Sequence, residues 1–149
     1  MKIAEWGPDT WALLHTIAEK IYDDKFNNSK NEIFKIITLI AISVPCPHCR
    51  NHASDYLKHN NIHRCNTKHD LKLFIFNFHN NVNSRLGKQP YVFATLSKYN
   101  NYNLANLFGQ YSIKNKQNRS NDLSFSFHRN INIKIILGLL VKNTQTFSA

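Results

Sequence analysis

Cys46-Pro47-His48-Cys49 holds the chain's most reactive side chains at a spacing that narrows their chemistry. A Cys-x-x-Cys pair can close a disulfide, hold a metal or exchange electrons with other dithiols. Pro47 sits at the first position of a helical pattern, so the first thiol meets the positive end of the helix dipole. Thiolate is favoured there, and His48 and Arg50 add positive charge nearby. Thirty residues on, His79-Asn80-Asn81-Val82-Asn83 puts polar side chains on an otherwise apolar helical pattern. Buried His and Asn need partners, and a bound cofactor beside the dithiol would supply them.

Two other chemistries compete for the cysteines. Cys46-x2-Cys49 with Cys65-x3-His69 makes a four-ligand set at structural zinc spacing, which would mark a zinc-binding interaction module. Cys-Pro-His-Cys also occurs in thioredoxin-like oxidoreductases, but that fold needs strands alternating with helices, and no strand pattern flanks this motif. Two plain core thiols remain the simplest reading, and bracketing Pro-His at a helix start is an odd choice for packing.

The elements that position these residues read as helices. Pro8 to about Asp24 is the first, with Trp11, Leu14, His15, Ala18, Ile21 and Tyr22 on one face. Asn27-Asn28-Ser29 reads as a break, and Ser29 to Glu32 has the form of a capping box. The run Ile33 to Ile42 is too apolar for a single stripe, so that helix should be central. Val44-Pro45 ends it. A third helix runs from the Cys pair to about Lys58, and a loop carries Cys65. Thr67 to Asp70 resembles a cap for a long fourth helix through Phe78 and Val82 to Leu86, closed by Gly87. Pro90 to Tyr99 suits a short fifth helix. Residues 114 to 122 read as a polar linker, and Phe125 to Val141 is apolar without a clean period. The expectation is an all-α four-helix bundle plus a short fifth helix over residues 1–100, with a C-terminal extension over 101–149.

Composition agrees with a folded helical chain. Hydrophobic residues make up 42 % of 149, and only four Gly and four Pro argue against a turn-rich β protein. The net charge of +10 comes from scattered Lys and Arg; only Lys114, Lys116 and Arg119 cluster. A solvated basic surface therefore fits better than a nucleic-acid site. Three Cys are too few for a secreted disulfide scaffold. Met1 to Trp6 lacks the apolar core of a signal peptide, and Ile131 to Val141 falls short of a membrane span. An intracellular protein is expected.

Three motifs recur in order: Trp6-Gly7-Pro8-Asp9-Thr10-Trp11-Ala12-Leu13-Leu14-His15, Pro45-Cys46-Pro47-His48-Cys49-Arg50-Asn51-His52, and His79 through Lys88. Together, over about Trp6 to Tyr99, they resemble the Erv/ALR family of FAD-linked sulfhydryl oxidases, in the minimal form encoded by large DNA viruses. The resemblance implies a helical bundle cradling FAD, usually as a homodimer. It implies that Cys46 and Cys49 are catalytic, passing electrons from protein dithiols to FAD and then to O2, which gives hydrogen peroxide. It places Gly7, Trp11 and His15 at the flavin from the first helix, and His79, Asn80, Val82 and Asn83 from the fourth. Lys88 and Tyr91 would reach the adenine or phosphate end, and His52 would face the same pocket. Thioredoxin-like or virion proteins would be the dithiol substrates, in host cytoplasm or virion, with no nucleic acid and no membrane span.

The chain also departs from that family. Cellular members carry a further Cys-x-x-Cys shuttle that is absent here. Phe76 occupies the place where they have half of a structural disulfide, which leaves Cys65 free or pairing between chains.

Overall fold

The computed structural model describes residues 3–117 and 122–149; Arg119 and the centre of the expected polar linker lie outside them. Six α-helices make up the described fold: α1 (Ile3–Lys20), α2 (Phe26–Ile42), α3 (Pro47–His59), α4 (Lys68–Arg85), α5 (Leu104–Gln117) and α6 (Leu123–Lys142). The expected all-α architecture is observed. The only β pairing among the described residues is a single antiparallel bridge between Ile21 and Phe147.

One buried cluster joins almost every helix. Leu13, Leu14 and Ile17 of α1 meet Ile33, Ile36, Ile37 and Ile40 of α2, Leu71 and Ile75 of α4, Phe108 and Tyr111 of α5, and Ile133 and Ile136 of α6. α2 packs on α1, α3 and α6, which explains why its apolar residues exceed one stripe.

Helix starts differ from the sequence expectation for local reasons. α1 begins a turn before Pro8, because so near the start the ring forfeits only one intrahelical bond. The extra turn buries Trp6 and Gly7. α1 also ends at Lys20 rather than near Asp24, since Tyr22 leaves the helix to donate its N–H to Thr146 O at 2.9 Å. The expected break at Asn27–Ser29 is not there: α2 starts at Phe26, whose buried ring packs edge-on against Phe34. Ser29 does not cap, because its hydroxyl is engaged with Thr146 Oγ1 at 2.9 Å.

Both ends of α4 follow the sequence closely. Thr67 Oγ1 accepts from Asp70 N–H at 3.0 Å to cap α4, and Gly87 takes the left-handed conformation (φ 70°) just past its end. The short fifth helix is a 3-10 segment, Phe93–Asn101.

The C-terminal extension holds the largest difference. Residues 114–117 belong to α5, and the region without a clean period is the 20-residue helix α6. Lys114 is no part of a free basic cluster, since it pairs with Asp9 of α1. Lys142 pairs with Glu32 of α2 at 3.1 Å. Buried Lys20 donates to Asn100 O at 3.0 Å and Ala149 O at 2.7 Å, tying the end of α1 to the last residues.

Candidate functional site

The Cys46 and Cys49 pair is organised by the start of α3. Cys46 is the N-cap, in extended geometry, and Pro47 follows in the first turn. The Cys46 sulfur takes the place of a capping oxygen, accepting from Cys49 N–H at 3.2 Å. Both cysteines are half-buried. Burial pushes the Cys49 thiol up to about 11, helped by Cys46, while Arg85 of α4 works against that rise. A negative charge on Cys49 would therefore meet Arg85 first. Arg50 donates to Val44 O at 2.9 Å and lies over the Phe125 ring, 3.5 Å from its centre.

A cavity of about 630 Å³ opens beside the pair, between α1, α4 and the segment after α4. That volume lies within the usual range for ligand sites, ~300–1,000 Å³. Its lining is largely apolar. Gly7, Trp11, Cys49, His79, Val82, Asn83, Lys88 and Tyr91 all contribute. Cys49 lines the cavity and Cys46 does not, so the two sulfurs are divided between its wall and its outside. Trp6 Nε1 and Arg85 Nε are buried without a hydrogen-bond partner among the described residues, and both side chains line the cavity. Unmet buried donors are costly. Acceptors on a bound polar ring system would satisfy them, so the residues present fit a flavin.

One wall of the cavity is a stacked aromatic layer, with His15 behind it. The Trp11 and His79 rings are parallel within 6° with centres 4.1 Å apart. His79 Nδ1 and His15 Nε2 share a hydrogen bond at 2.8 Å. His15 stacks on Tyr99 with centres 4.9 Å apart, and the Tyr91 and Tyr99 hydroxyls meet at 2.8 Å. Burial lowers the His15 pKa to about 3, with His79 and Lys98 adding to it. Burial, then Lys88 and Lys98, lowers His79 to about 4. At neutral pH both rings are uncharged, and each can donate at one nitrogen while accepting at the other.

Three of the expected cofactor residues stand apart from the lining. His15 is buried behind His79. Asn80 spends its amide on the chain: its Oδ1 accepts from Tyr91 N–H at 2.6 Å and its Nδ2 donates to Tyr91 O at 3.3 Å. It thus pins Tyr91 over the site. His52 faces a separate polar hollow with Asp55, Tyr56, His59, Asn60, Asn77 and Asn81. The zinc alternative has no geometry behind it. Among the described residues no three His, Cys, Asp or Glu side chains gather around a common point, and Cys65 is buried in the main core. Burial pushes the Cys65 thiol up to about 11. Phe76 packs edge-on against Phe93 with centres 5.4 Å apart.

Some lining residues carried a weak signal in the sequence. Phe78, Val82 and Arg85 share one face of α4 at i, i+4 and i+7, so Arg85 was legible as the cation on the apolar face that reaches Cys49. Trp6, Lys98 and Tyr99 also line the cavity; nothing in their spacing announces it.

Comparison with known proteins agrees with this geometry. Residues 8–102 match the Erv1 / Alr family. The chain is 36 % identical over 92 residues to a protein of Invertebrate iridescent virus 3, covering 61 % of this chain and 62 % of that one. It is 39 % identical over 84 residues to the FAD-linked sulfhydryl oxidase of African swine fever virus (isolate Warthog/Namibia/Wart80/1980), covering 56 % and 70 %. The FAD-linked sulfhydryl oxidase ERV1 of Oryza sativa subsp. japonica is 31 % identical over 84 residues, covering 56 % and 43 %. The chain thus spans roughly two fifths to seven tenths of these relatives' lengths. No solved structure matches it significantly. With three motifs in order, a helical bundle and a family match over residues 8–102, the chain belongs to the Erv1 / Alr family.

Proposed function

We propose that the protein is an FAD-dependent sulfhydryl oxidase that forms disulfides in protein dithiols. The observation that carries this reading is the division of the redox pair, with Cys49 in the wall of a flavin-sized cavity and Cys46 capping α3 outside it. Such a pair accepts a substrate on one sulfur and delivers electrons from the other.

The chain's part runs through thiol–disulfide exchange. With Cys46 and Cys49 joined, a substrate thiolate attacks Cys46 Sγ. A substrate–Cys46 bond forms, the Cys46–Cys49 bond breaks, and the electron pair leaves on Cys49 beside Arg85. The substrate's second thiolate then attacks the substrate sulfur bonded to Cys46, the substrate leaves with a closed disulfide, and Cys46 carries the displaced pair. FAD, when bound in the cavity, would supply a two-electron acceptor for the reduced Cys46–Cys49 pair and would pass the electrons to O2 to give hydrogen peroxide. Gly7, Trp11, His79, Val82, Asn83, Lys88 and Tyr91 would hold it, with His15 and Asn80 fixing His79 and Tyr91 in place.

The proposal includes a homodimer, O2 as acceptor, thioredoxin-like or virion proteins as substrates, and host cytoplasm or virion as location. The viral relatives support the location, and a relative named as a sulfhydryl oxidase supports thiol substrates. No described helix is long and apolar enough to cross a membrane. Residues 1–100 carry the oxidase chemistry.

Single-cysteine variants test the reading. Cys49→Ser should abolish oxygen consumption with dithiothreitol, whereas Cys65→Ser should fold and turn over like the parent. Undiminished turnover by Cys49→Ser would refute the relay.

A further inference from the structure

The start of α6 reaches Arg50, the residue next to Cys49, from outside the segment shared with the family. Residues 8–102 define that segment, whereas Phe125 lies in the first turn of α6. Its ring faces the Arg50 guanidinium at 3.5 Å from the ring centre, well within the distance at which a cation and a ring face attract. Asp122 caps the same turn, its Oδ1 accepting from Phe125 N–H at 3.1 Å. Arg129, one turn further along, is 5.6 Å from the same ring. α6 is fixed to the body below this point by Asn132 Nδ2, which donates to Ser43 Oγ at 3.1 Å, and by buried Ile133 and Ile136. The turn is therefore held against the α2–α3 corner. Arg50 has two anchors there, the Val44 carbonyl and the Phe125 face. Its backbone N–H donates to Cys46 O at 2.9 Å, which fixes it one turn from that cysteine. Burial weakens its protonation most, and the charges it senses are Cys46 first, then Asp122 and Cys49. Arg129 is the further cation within reach.

We propose that α6 is a positioning element for the redox pair: the Phe125 ring seats the Arg50 guanidinium where its charge offsets the negative charge left on Cys46 as the substrate disulfide closes. This rests on the sulfhydryl oxidase reading above. In that step the substrate's second thiolate attacks the substrate sulfur bonded to Cys46. A substrate disulfide forms, the bond to Cys46 breaks, and the electron pair departs on Cys46 Sγ. The substrate is oxidised by two electrons and the enzyme pair is reduced by two; the thiol protons go to solvent. A better-stabilised leaving thiolate departs faster. Phe125 is a positioning residue, since it acts only through Arg50. Asp122 draws on the same guanidinium and opposes it.

The test reads Cys46 directly in the reduced full-length protein, without turnover. The rate of iodoacetamide capture at Cys46, resolved by peptide mass at pH 7, reports its thiolate. Phe125→Leu keeps an apolar side chain but loses the ring face and should slow capture about threefold, the size of a partly exposed charge contact. Phe125→Tyr should restore the parent rate. Asp122→Asn keeps a capping acceptor but removes the competing carboxylate, and should speed capture. Leu123→Ala, on an 82 % exposed neighbour, should change nothing. Parent-like capture by Phe125→Leu would overturn the proposal, as would Phe125→Leu and Asp122→Asn shifting in the same direction, because damage to the turn would move both alike. Since capture needs neither flavin nor oxygen, a chain that shows these shifts but oxidises no dithiol would sink the oxidase reading alone.

Discussion

Ile136→Ala should destabilise the whole bundle, although the residue lies 34 positions beyond the family match. Ile136 is fully buried in the cluster that includes Leu13, Ile17 and Ile37. The substitution removes three carbons, worth roughly 2.4 kcal/mol at about 0.8 kcal/mol per buried carbon. Incomplete collapse of the hole adds to this, so about 3 kcal/mol is expected. With a urea dependence of ~2 kcal/mol per molar, the midpoint should fall by about 1.5 M. The chain reports on this unusually well, because its two tryptophans, Trp6 and Trp11, both sit in α1. Urea titration of tryptophan fluorescence in a fixed cofactor state therefore measures a loss on α6 at the opposite end of the sequence. An unmoved fluorescence midpoint, with helicity lost in a separate earlier transition, would show that α6 is an appendage and would refute the shared core.

Other consequences can be checked directly. Asn80→Ala should weaken FAD binding about tenfold by releasing Tyr91, a loss of the size expected for two broken, partly buried hydrogen bonds, measurable by fluorescence titration. Cofactor affinity like the parent's would count against the pinning role. Stability should fall as pH drops below about 6.5, because the unfolded state takes up protons on His15 and His79 that the folded state refuses until about 3 and about 4. His79→Gln should flatten that dependence in urea titrations between pH 7 and pH 5, and an unchanged slope would refute the assignment. Arg85→Gln should slow the reduction of FAD by dithiothreitol more than it weakens FAD binding, since Arg85 faces the charge that develops on Cys49. Stopped-flow bleaching at saturating cofactor separates the two.

The site was legible where chemistry and helical spacing coincide. Cys49 in the first turn of a helix and His79 with Asn83 one turn apart fix their own surroundings, so their meeting at one cavity follows from local rules. The extension was not legible for a physical reason. α6 buries Arg129, Ile133 and Ile136 on one face, while Leu123, Phe127 and Val141 stay exposed on others. Apolar residues all round leave no period to read. α5 carries its burial on only a few side chains, with Phe108 and Tyr111 inside and Ile113 exposed. Ser29 had the look of a cap, but its hydroxyl goes to Thr146, a partner 117 residues away. His52 falls one turn after Cys49 yet opens onto a different hollow. Helical spacing fixes a direction around one helix, and neighbouring helices decide what lies in that direction.

The central claim is tested most directly by the visible absorption spectrum of the purified full-length protein during dithiothreitol addition under air. A flavin band should bleach on reduction and recover as oxygen is consumed and hydrogen peroxide appears, and Cys49→Ser should hold the band without bleaching. A protein that stays colourless after incubation with FAD and oxidises no dithiol would contradict it.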